Sequence, residues 1–138
     1  MKQIPDGVAL SANQLMEGPF LIERVFAVKP GQGLPEGVIN PIWRPLVAPE
    51  SSLVADYEGC LSIPGHRLMV PRYPTIFLDY IDIDGIVHYD EQFSGMAARI
   101  VQHECDHLDG RTILDHAPKE VKYRLRSEII RRRKAGGV

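Results

Sequence analysis

The chain has 138 residues, of which 44% are hydrophobic and 25% are charged, and its formal net charge is −2. This length and composition are typical of one soluble globular domain, and they exclude a disordered chain and a strongly basic protein that coats DNA or another polyanion. No apolar run reaches the length of a membrane span, and Met1–Asp6 lacks the apolar stretch of a signal peptide, so we expect a cytoplasmic protein.

The first half of the chain is predicted to contain strands and many turns. Phe20–Val28 alternates enough between apolar and polar residues to indicate a strand. Between Lys29 and Pro49, frequent glycine and proline leave room only for short strands at Val38–Asn40 and Trp43–Val47. We therefore expect a loop-rich sheet in this region.

Three further strands are predicted in the middle of the chain, at Arg67–Val70, Thr75–Ile81 and Ile86–Phe93. The last two are separated by Asp82–Gly85, which ends in the hairpin signal Asp-Gly. The three strands are therefore expected to form a β-meander.

The last part of the chain is predicted to be helical. Ser94 is the expected N-cap of a helix that ends near Gly110, because side chains of one face recur between them at steps of three and four residues. These side chains are Met96, Ile100, His103, His107 and Leu108. After Pro118 a second, amphipathic helix is predicted, with Val121, Leu125 and Ile129 on its apolar face.

The first of these helices carries an H-E-x-x-H pattern, His103-Glu104-Cys105-Asp106-His107. Residues four apart on a helix have Cβ atoms about 5–6 Å apart, so both imidazoles can bind one metal ion. Glu104 lies beside that face and is the predicted general base, because it can contact a water without binding the ion. Cys105 is predicted to be a small buried hydrophobic side chain rather than a ligand.

A catalytic metal site usually has three protein ligands and one open position, so a third ligand is needed. The residues downstream of the pattern are poorly placed for this role. Asp109 follows His107 too closely to share its helical face, and Asp115 and His116 lie beyond the end of the helix. None of the three is a convincing ligand.

Upstream, Cys60 offers a thiolate on a segment that we expect to be irregular and to be followed by a turn at Ile63–Gly65. Packed against the helix, this segment would complete a Cys-His-His ligand set. Taken alone, however, Cys60 is better explained as a small buried side chain. The residues by themselves leave both interpretations open.

Three segments resemble, in the same order, the three signatures of the peptide deformylase family. They are Gly7-Val8-Ala9-Leu10-Ser11-Ala12-Asn13-Gln14, then Glu58-Gly59-Cys60-Leu61-Ser62, then Gln102-His103-Glu104-Cys105-Asp106-His107-Leu108-Asp109-Gly110. The resemblance implies an α+β fold, with mostly antiparallel sheets around the metal-binding helix and a C-terminal helix. It also implies hydrolytic removal of the N-formyl group from the N-terminal methionine of newly made polypeptides, with release of formate.

Matched position by position, the resemblance implies that Cys60, His103 and His107 bind one divalent metal ion. Iron(II) is the expected physiological ion, and zinc or nickel is expected to be able to replace it, since thiolate and imidazole suit these metals. Glu104 is expected to accept the proton of the attacking water and to pass it to the leaving amine.

The same matching implies a binding site for an N-formyl-methionyl peptide. The Gln14 side-chain amide and the Leu61 backbone N–H correspond to groups that stabilise the oxyanion. The positions expected to bind the substrate are Val8, Ala9, Arg67, Met96 and Ile100. Glu58 and Arg72 match a structural ion pair that orients the segment around Cys60. The basic run Arg131–Lys134 is expected to be a solvated helix end, with docking on the ribosome as the alternative.

The chain departs from the family near its start. Only Met1–Asp6 precede Gly7, where deformylases carry a longer segment with a helix, so we expect a single catalytic domain over residues 1–138 that lacks this segment. Ala9 stands where the family has a glycine, which motivates an alternative: an amide hydrolase or peptidase with a different substrate. A second alternative is a non-catalytic domain in which a fourth ligand, such as Asp106 or His66, closes the metal site.

Overall fold

A computed structural model describes residues 9–11, 24–47, 49, 52–60 and 63–134. Within these residues seven strands precede two helices. The strands are β1 (Ala9–Ser11), β2 (Val25–Val28), β3 (Gly37–Pro45), β4 (Val54–Cys60), β5 (Ile63–Arg72), β6 (Thr75–Ile81) and β7 (Val87–Ser94). The helices are α1 (Gly95–Leu108) and α2 (Lys119–Lys134), with a short 3₁₀ helix, Ile113–His116, between them. All pairings between these strands are antiparallel, which confirms the α+β fold class.

The strands form two separate sheets. One has five strands in the order β1-β2-β3-β6-β7, and the other is the two-stranded hairpin β4–β5. The predicted meander is therefore wrong, because β5 pairs with β4 whereas β6 pairs with β3 and β7. The link between the sheets is held by Gln102 on α1, whose amide accepts from Tyr73 N at 2.9 Å and donates to Tyr73 O at 2.8 Å.

The prediction of two short strands between Val38 and Val47 is also wrong, since Gly37–Pro45 is one strand. Its register with β6 shifts between Ile39 and Ile42. Asn40 there has a φ of 51°, and Pro41 has no N–H to donate to the ladder. A β-bulge accommodates both residues without ending the strand.

Two hydrophobic clusters hold these elements together. The larger one joins the five-stranded sheet to α1 and contains Phe26, Val28, Val38, Ile76, Leu78, Tyr80, Phe93, Ala97, Ala98, Ile100, Val101 and Cys105. The smaller one contains Val70 of β5, Ile113 and Leu114 of the 3₁₀ helix and Leu125 of α2, with Val121 and Ile129 packed against it. The predicted apolar face of α2 is thus confirmed. Among the described residues, no helix combines the length and the apolar character needed to cross a bilayer.

The two ends of α1 lie where the sequence predicts them. Ser94 is the N-cap residue, but its hydroxyl lies 3.0 Å from Thr75 Oγ1 and makes no side-chain capping bond. At the C-terminus Gly110 has a φ of 78° and donates to His107 O, while Arg111 donates to Asp106 O. These are the two hydrogen bonds of a Schellman motif, so the last turn, which carries His107, ends in a defined geometry.

Candidate metal centre

Three side chains of α1 converge on one point. Possible ligand atoms of His103, Glu104 and His107 all lie within 4.8 Å of one another, and all three residues are buried. The two imidazole rings are 4.5 Å apart between centroids, with an angle of 68° between their planes. The four-residue spacing therefore brings both imidazoles to a common position, as the sequence predicts.

Glu104 completes this cluster with a carboxylate. Its Oε1 lies 3.5 Å from His107 Nδ1, and its Oε2 is buried with no hydrogen-bond partner among the described residues. A buried carboxylate oxygen without a partner is costly, so an additional species at this point is expected. Two imidazoles beside such an oxygen fit a divalent metal ion accompanied by a water.

The orientation of His103 is fixed by Glu58 on β4. His103 Nδ1 lies 2.7 Å from Glu58 Oε1, and Glu58 is fully buried. Burial alone would raise the pKa of Glu58, but hydrogen bonds from His103 and Arg72 and the charge of Arg72 lower it to about 2. Because an ionised carboxylate can only accept, His103 Nδ1 is the donor and the lone pair of the neutral ring is on Nε2. This is the tautomer that a metal-binding imidazole needs.

The ion pair expected between Glu58 and Arg72 is present. Arg72 donates through Nε and Nη2 to the two carboxylate oxygens of Glu58, each at 3.0 Å, and through Nη1 to Asp106 Oδ2 at 2.6 Å. Asp106 also lies 2.8 Å from His116 Nε2. Burial would raise the pKa of Asp106, but its bonds to His116 and Arg72 lower it to about 2. The Asp106 carboxylate therefore bonds to Arg72 and His116.

Arg99 is a member of this buried cluster that the sequence analysis missed. It is almost fully buried, and its Nη1 donates to Glu58 Oε2 at 2.6 Å. A signal was available in the sequence, because Arg99 is a lone charge between Ala97-Ala98 and Ile100-Val101, four residues before His103. Because buried arginine is rare unless it is paired, an arginine among these apolar residues indicates an acidic partner.

Cys60 is the last residue of β4, two residues after Glu58. The prediction of an irregular segment here is wrong, because Glu58–Cys60 pairs with β5 across a register shift between Gly59 and Cys60. The predicted turn at Ile63–Gly65 is also wrong, since these residues begin β5. Glycine weakens the local preference for a strand, and the pairing with β5 overrides it. Only the backbone of Cys60 is described, so its role as a ligand stays a prediction.

The predicted oxyanion groups, Gln14 and Leu61, lie outside the described residues, and so does Val8. Ala9 lies on β1, an edge strand of the five-stranded sheet that runs beside α1. These positions stay predictions.

The other predicted substrate-binding residues are described. Arg67 is exposed on β5, opposite Gly59 of β4. Met96 is partly buried against the larger hydrophobic cluster, and Ile100 is one of its fully buried members. Their binding of a substrate also stays a prediction.

The other candidate ligands have partners elsewhere. Asp109 pairs with Arg24, Asp115 with Thr112 N and Lys122, His116 with Asp106, and His66 with Glu128. Cys105 is a buried member of the larger cluster, which confirms the prediction of a small hydrophobic side chain. Its burial raises the pKa of the thiol to about 12.

The fold and the site together define the class: an α+β protein with an H-E-x-x-H helix that presents two imidazoles and a carboxylate at one buried point. Comparison with known proteins then gives the family. The family model described as polypeptide deformylase matches residues 1–123, and the chain belongs to this family.

Similar proteins agree with this assignment. The chain is 38% identical over 112 residues to peptide deformylase 1 of Nitrosomonas europaea, with 76% of this chain and 60% of that protein covered. It is 34% identical over 130 residues to the peptide deformylase of Endomicrobium trichonymphae, with 94% and 73% covered. The crystal structure of peptide deformylase from Thermus thermophilus superposes with a TM-score of 0.72 at 32% identity, with 94% and 75% covered. The chain spans about three fifths of the length of several curated relatives that it matches.

Proposed function

We propose that this chain is a metal-dependent peptide deformylase, which hydrolyses the N-formyl group from the N-terminal methionine of newly made polypeptides and releases formate. The observation that carries the proposal is the convergence of His103, Glu104 and His107, with Glu58 on His103 Nδ1, in a chain of the polypeptide deformylase family. The proposed substrate is a formyl-methionyl peptide in the cytoplasm, with docking on the ribosome as the alternative role of the basic run Arg131–Lys134.

The proposed metal ligands are His103, His107 and the thiolate of Cys60. Cys60 ends the strand that also carries Glu58, so the strand that orients His103 would supply the third ligand. A thiolate and two imidazoles suit iron(II), our proposed physiological ion, and also zinc or nickel. When bound, such an ion supplies a Lewis acid that polarises the formyl carbonyl and makes water acidic enough to react near neutral pH.

Glu104 is the proposed general base and acid. Its buried Oε2, which has no hydrogen-bond partner among the described residues, accepts a proton from the attacking water. The same oxygen then donates this proton to the amine as the carbon–nitrogen bond breaks, so that water and the formyl amide give formate and a free N-terminus.

The remaining roles follow the family's positions. The Gln14 amide and the Leu61 N–H are proposed to stabilise the oxyanion. The residues proposed to bind the peptide are Val8, Ala9, Arg67, Met96 and Ile100. Two of them support a methionine pocket beside the metal, because Met96 and Ile100 precede His103 on α1 at steps of four and three residues.

The test is formate release from formyl-Met-Ala-Ser by the protein loaded with iron(II), nickel or zinc. We expect formate and free amine in equal amounts, and loss of both when a chelator removes the metal. Glu104→Gln should keep one metal ion per chain and lower turnover by roughly 10²–10⁴-fold. The exposed Glu36 provides the matched control, since Glu36→Gln should leave turnover unchanged.

Three results would contradict parts of the proposal. Cleavage of another amide without formate release would favour the altered-substrate alternative that Ala9 motivates. Metal binding without hydrolysis would favour the non-catalytic alternative, although Asp106 is hydrogen-bonded to Arg72 and His116, and His66 Nε2 lies 3.5 Å from Glu128 Oε2. Loss of the metal in Glu104→Gln would show that Glu104 is a ligand.

A further inference from the structure

Arg99 is a buried cation for which the proposed reaction has no role. It lies on α1 four residues before His103, and only 4% of its side chain is exposed. Its guanidinium donates three hydrogen bonds to the neighbouring β4–β5 hairpin. The acceptors are Glu58 Oε2 at 2.6 Å, Val70 O at 2.8 Å and Val54 O at 2.7 Å.

These acceptors lie on both strands of the hairpin. Val54 begins β4, and Val70 lies near the end of β5, where it pairs with Asp56. The hairpin belongs to neither the five-stranded sheet nor its hydrophobic cluster. One rigid guanidinium therefore fixes the relation between α1 and both hairpin strands, which a single point charge cannot do.

Arg99 also completes the charge balance around Glu58. Arg72 divides its guanidinium between the buried Glu58 and the partly buried Asp106, so it is shared between two carboxylates. Arg99 supplies the second cation, and two guanidiniums then face two carboxylates. Without Arg99, Glu58, which has no exposed surface, would depend on a shared partner.

The position of Glu58 matters because its two oxygens have different tasks. Oε2 accepts from Arg99 Nη1 and Arg72 Nε, and Oε1 accepts from His103 Nδ1 and Arg72 Nη2. Arg72 holds both oxygens and Arg99 adds a second bond at Oε2, so the carboxylate is fixed and Oε1 stays directed at the imidazole. Arg99, one helical turn before His103, therefore shares with Arg72 the holding of the acceptor that orients the His103 ring.

We propose that Arg99 is a positioning residue of the metal centre, which locks Glu58 and the β4–β5 hairpin onto α1 so that His103 presents Nε2 to the ion. This inference rests on the metal centre of the proposed function. It assigns Arg99 no contact with the substrate or the ion.

The test compares Arg99→Met and Arg99→Lys with the wild-type protein in two measurements. One is zinc affinity by competition with a chromophoric chelator. The other is NMR of the imidazole nitrogens of the metal-free protein, with His103 assigned from a His103→Asn variant. Arg99→Met should weaken zinc binding roughly 10–100-fold, as loss of an outer contact to a ligand does. It should also mix the two tautomers of His103.

Arg99→Lys should lie between wild type and Arg99→Met, because one ammonium can bond to Glu58 without also reaching both carbonyls. If Arg99→Met does not fold, Arg99→Lys is compared with the wild type in both measurements instead. Leu78→Ala, in the fully buried core of the five-stranded sheet, is the control for lost stability alone. It should lower stability and leave the zinc affinity and the His103 tautomer of the folded protein unchanged. The milder Ile76→Val replaces it if Leu78→Ala does not fold.

The proposal is overturned if both Arg99 variants lose stability but bind zinc as tightly as the wild type and keep one His103 tautomer. A wild-type protein that binds zinc and responds to Arg99 substitution, yet releases no formate, would refute the proposed function and support the role of Arg99. If the wild type binds no zinc, the proposed metal centre fails, and the positioning role defined by that centre fails with it.

Discussion

Replacing Glu58 by glutamine tests the buried charge cluster directly. Glu58 accepts four hydrogen bonds, two from Arg72 and one each from Arg99 and His103. Glutamine has nearly the same volume but presents one oxygen and one NH₂ group. At least one of the donors would then face another donor, Arg99 would lose the carboxylate that it pairs with, and Arg72 would keep only Asp106.

The expected cost follows from burial. Glu58 has no exposed surface, and the Arg72 side chain is 5% exposed, so water cannot replace the lost contacts. Removing one partner of a buried ion pair costs about 3–5 kcal/mol, since the remaining charge stays uncompensated. For a domain of this length, that cost corresponds to a fall in Tm of roughly 10–20 °C.

The assay is urea unfolding of the metal-free protein, followed by circular dichroism and repeated with Glu58→Gln. Asp109→Asn is the matched control, because it removes an acid from the exposed pair with Arg24. Its effect should stay within about 1 kcal/mol, the usual range for surface pairs. If Glu58→Gln cost no more than this control, the cluster would contribute no more than a surface ion pair, and the reasoning from burial would be refuted.

Three further predictions concern acid stability, thiol reactivity and the end of α1. At pH values below about 5, the free energy of unfolding of the metal-free protein should decrease. The pKa of Glu58 is about 2 in the folded protein against an ordinary 4.5, so the unfolded chain takes up the proton first. Glu58→Gln should flatten this acid limb in urea titrations, and an unchanged limb would contradict the assignment. Cys105 should resist iodoacetamide in the native protein and react after unfolding, because burial raises the pKa of its thiol to about 12. Mass spectrometry of the labelled protein is the measurement, and rapid labelling of native Cys105 would contradict its burial. Gly110→Ala should lower the free energy of unfolding, measured by thermal unfolding, by about 1–2 kcal/mol. The cause is the φ of 78° alone, since no described atom lies within 4 Å of the added Cβ. An unchanged stability would show that the turn relaxes.

The parts of the fold that sequence predicts best are those with local causes. The periodicity from Met96 to Leu108 and the glycine at 110 give α1 and its end, because both signals lie within one element. The hairpin between β6 and β7 is equally local: Asp82 Oδ1 accepts from Asp84 N and Ile86 N, and Gly85 has a φ of 83°. The spacing of the two histidines belongs to the same group.

The errors concern pairings between distant residues. β5 follows β4 and precedes β6, and nothing in its own residues says which neighbour it pairs with. Tyr73 lies between β5 and β6, where the chain passes from one sheet to the other. Its hydrogen bond to Gln102 joins residues 29 positions apart. Arg99 and Glu58 are 41 positions apart, so the partner of this buried arginine is found only when the hairpin docks on the helix. Tertiary contacts decide these features.

The two buried sides of α1 explain why a charge cluster lies here at all. Ala98, Val101 and Cys105 pack in the larger hydrophobic cluster, whereas Arg99, His103 and Asp106, at steps of four and three residues, bond to groups of the β4–β5 hairpin. Well-packed apolar side chains in place of such a cluster often match or exceed its stability. They would, however, leave His103 Nδ1 without an acceptor and its ring without a defined tautomer. Stability alone therefore does not account for these charges, and the orientation of His103 does.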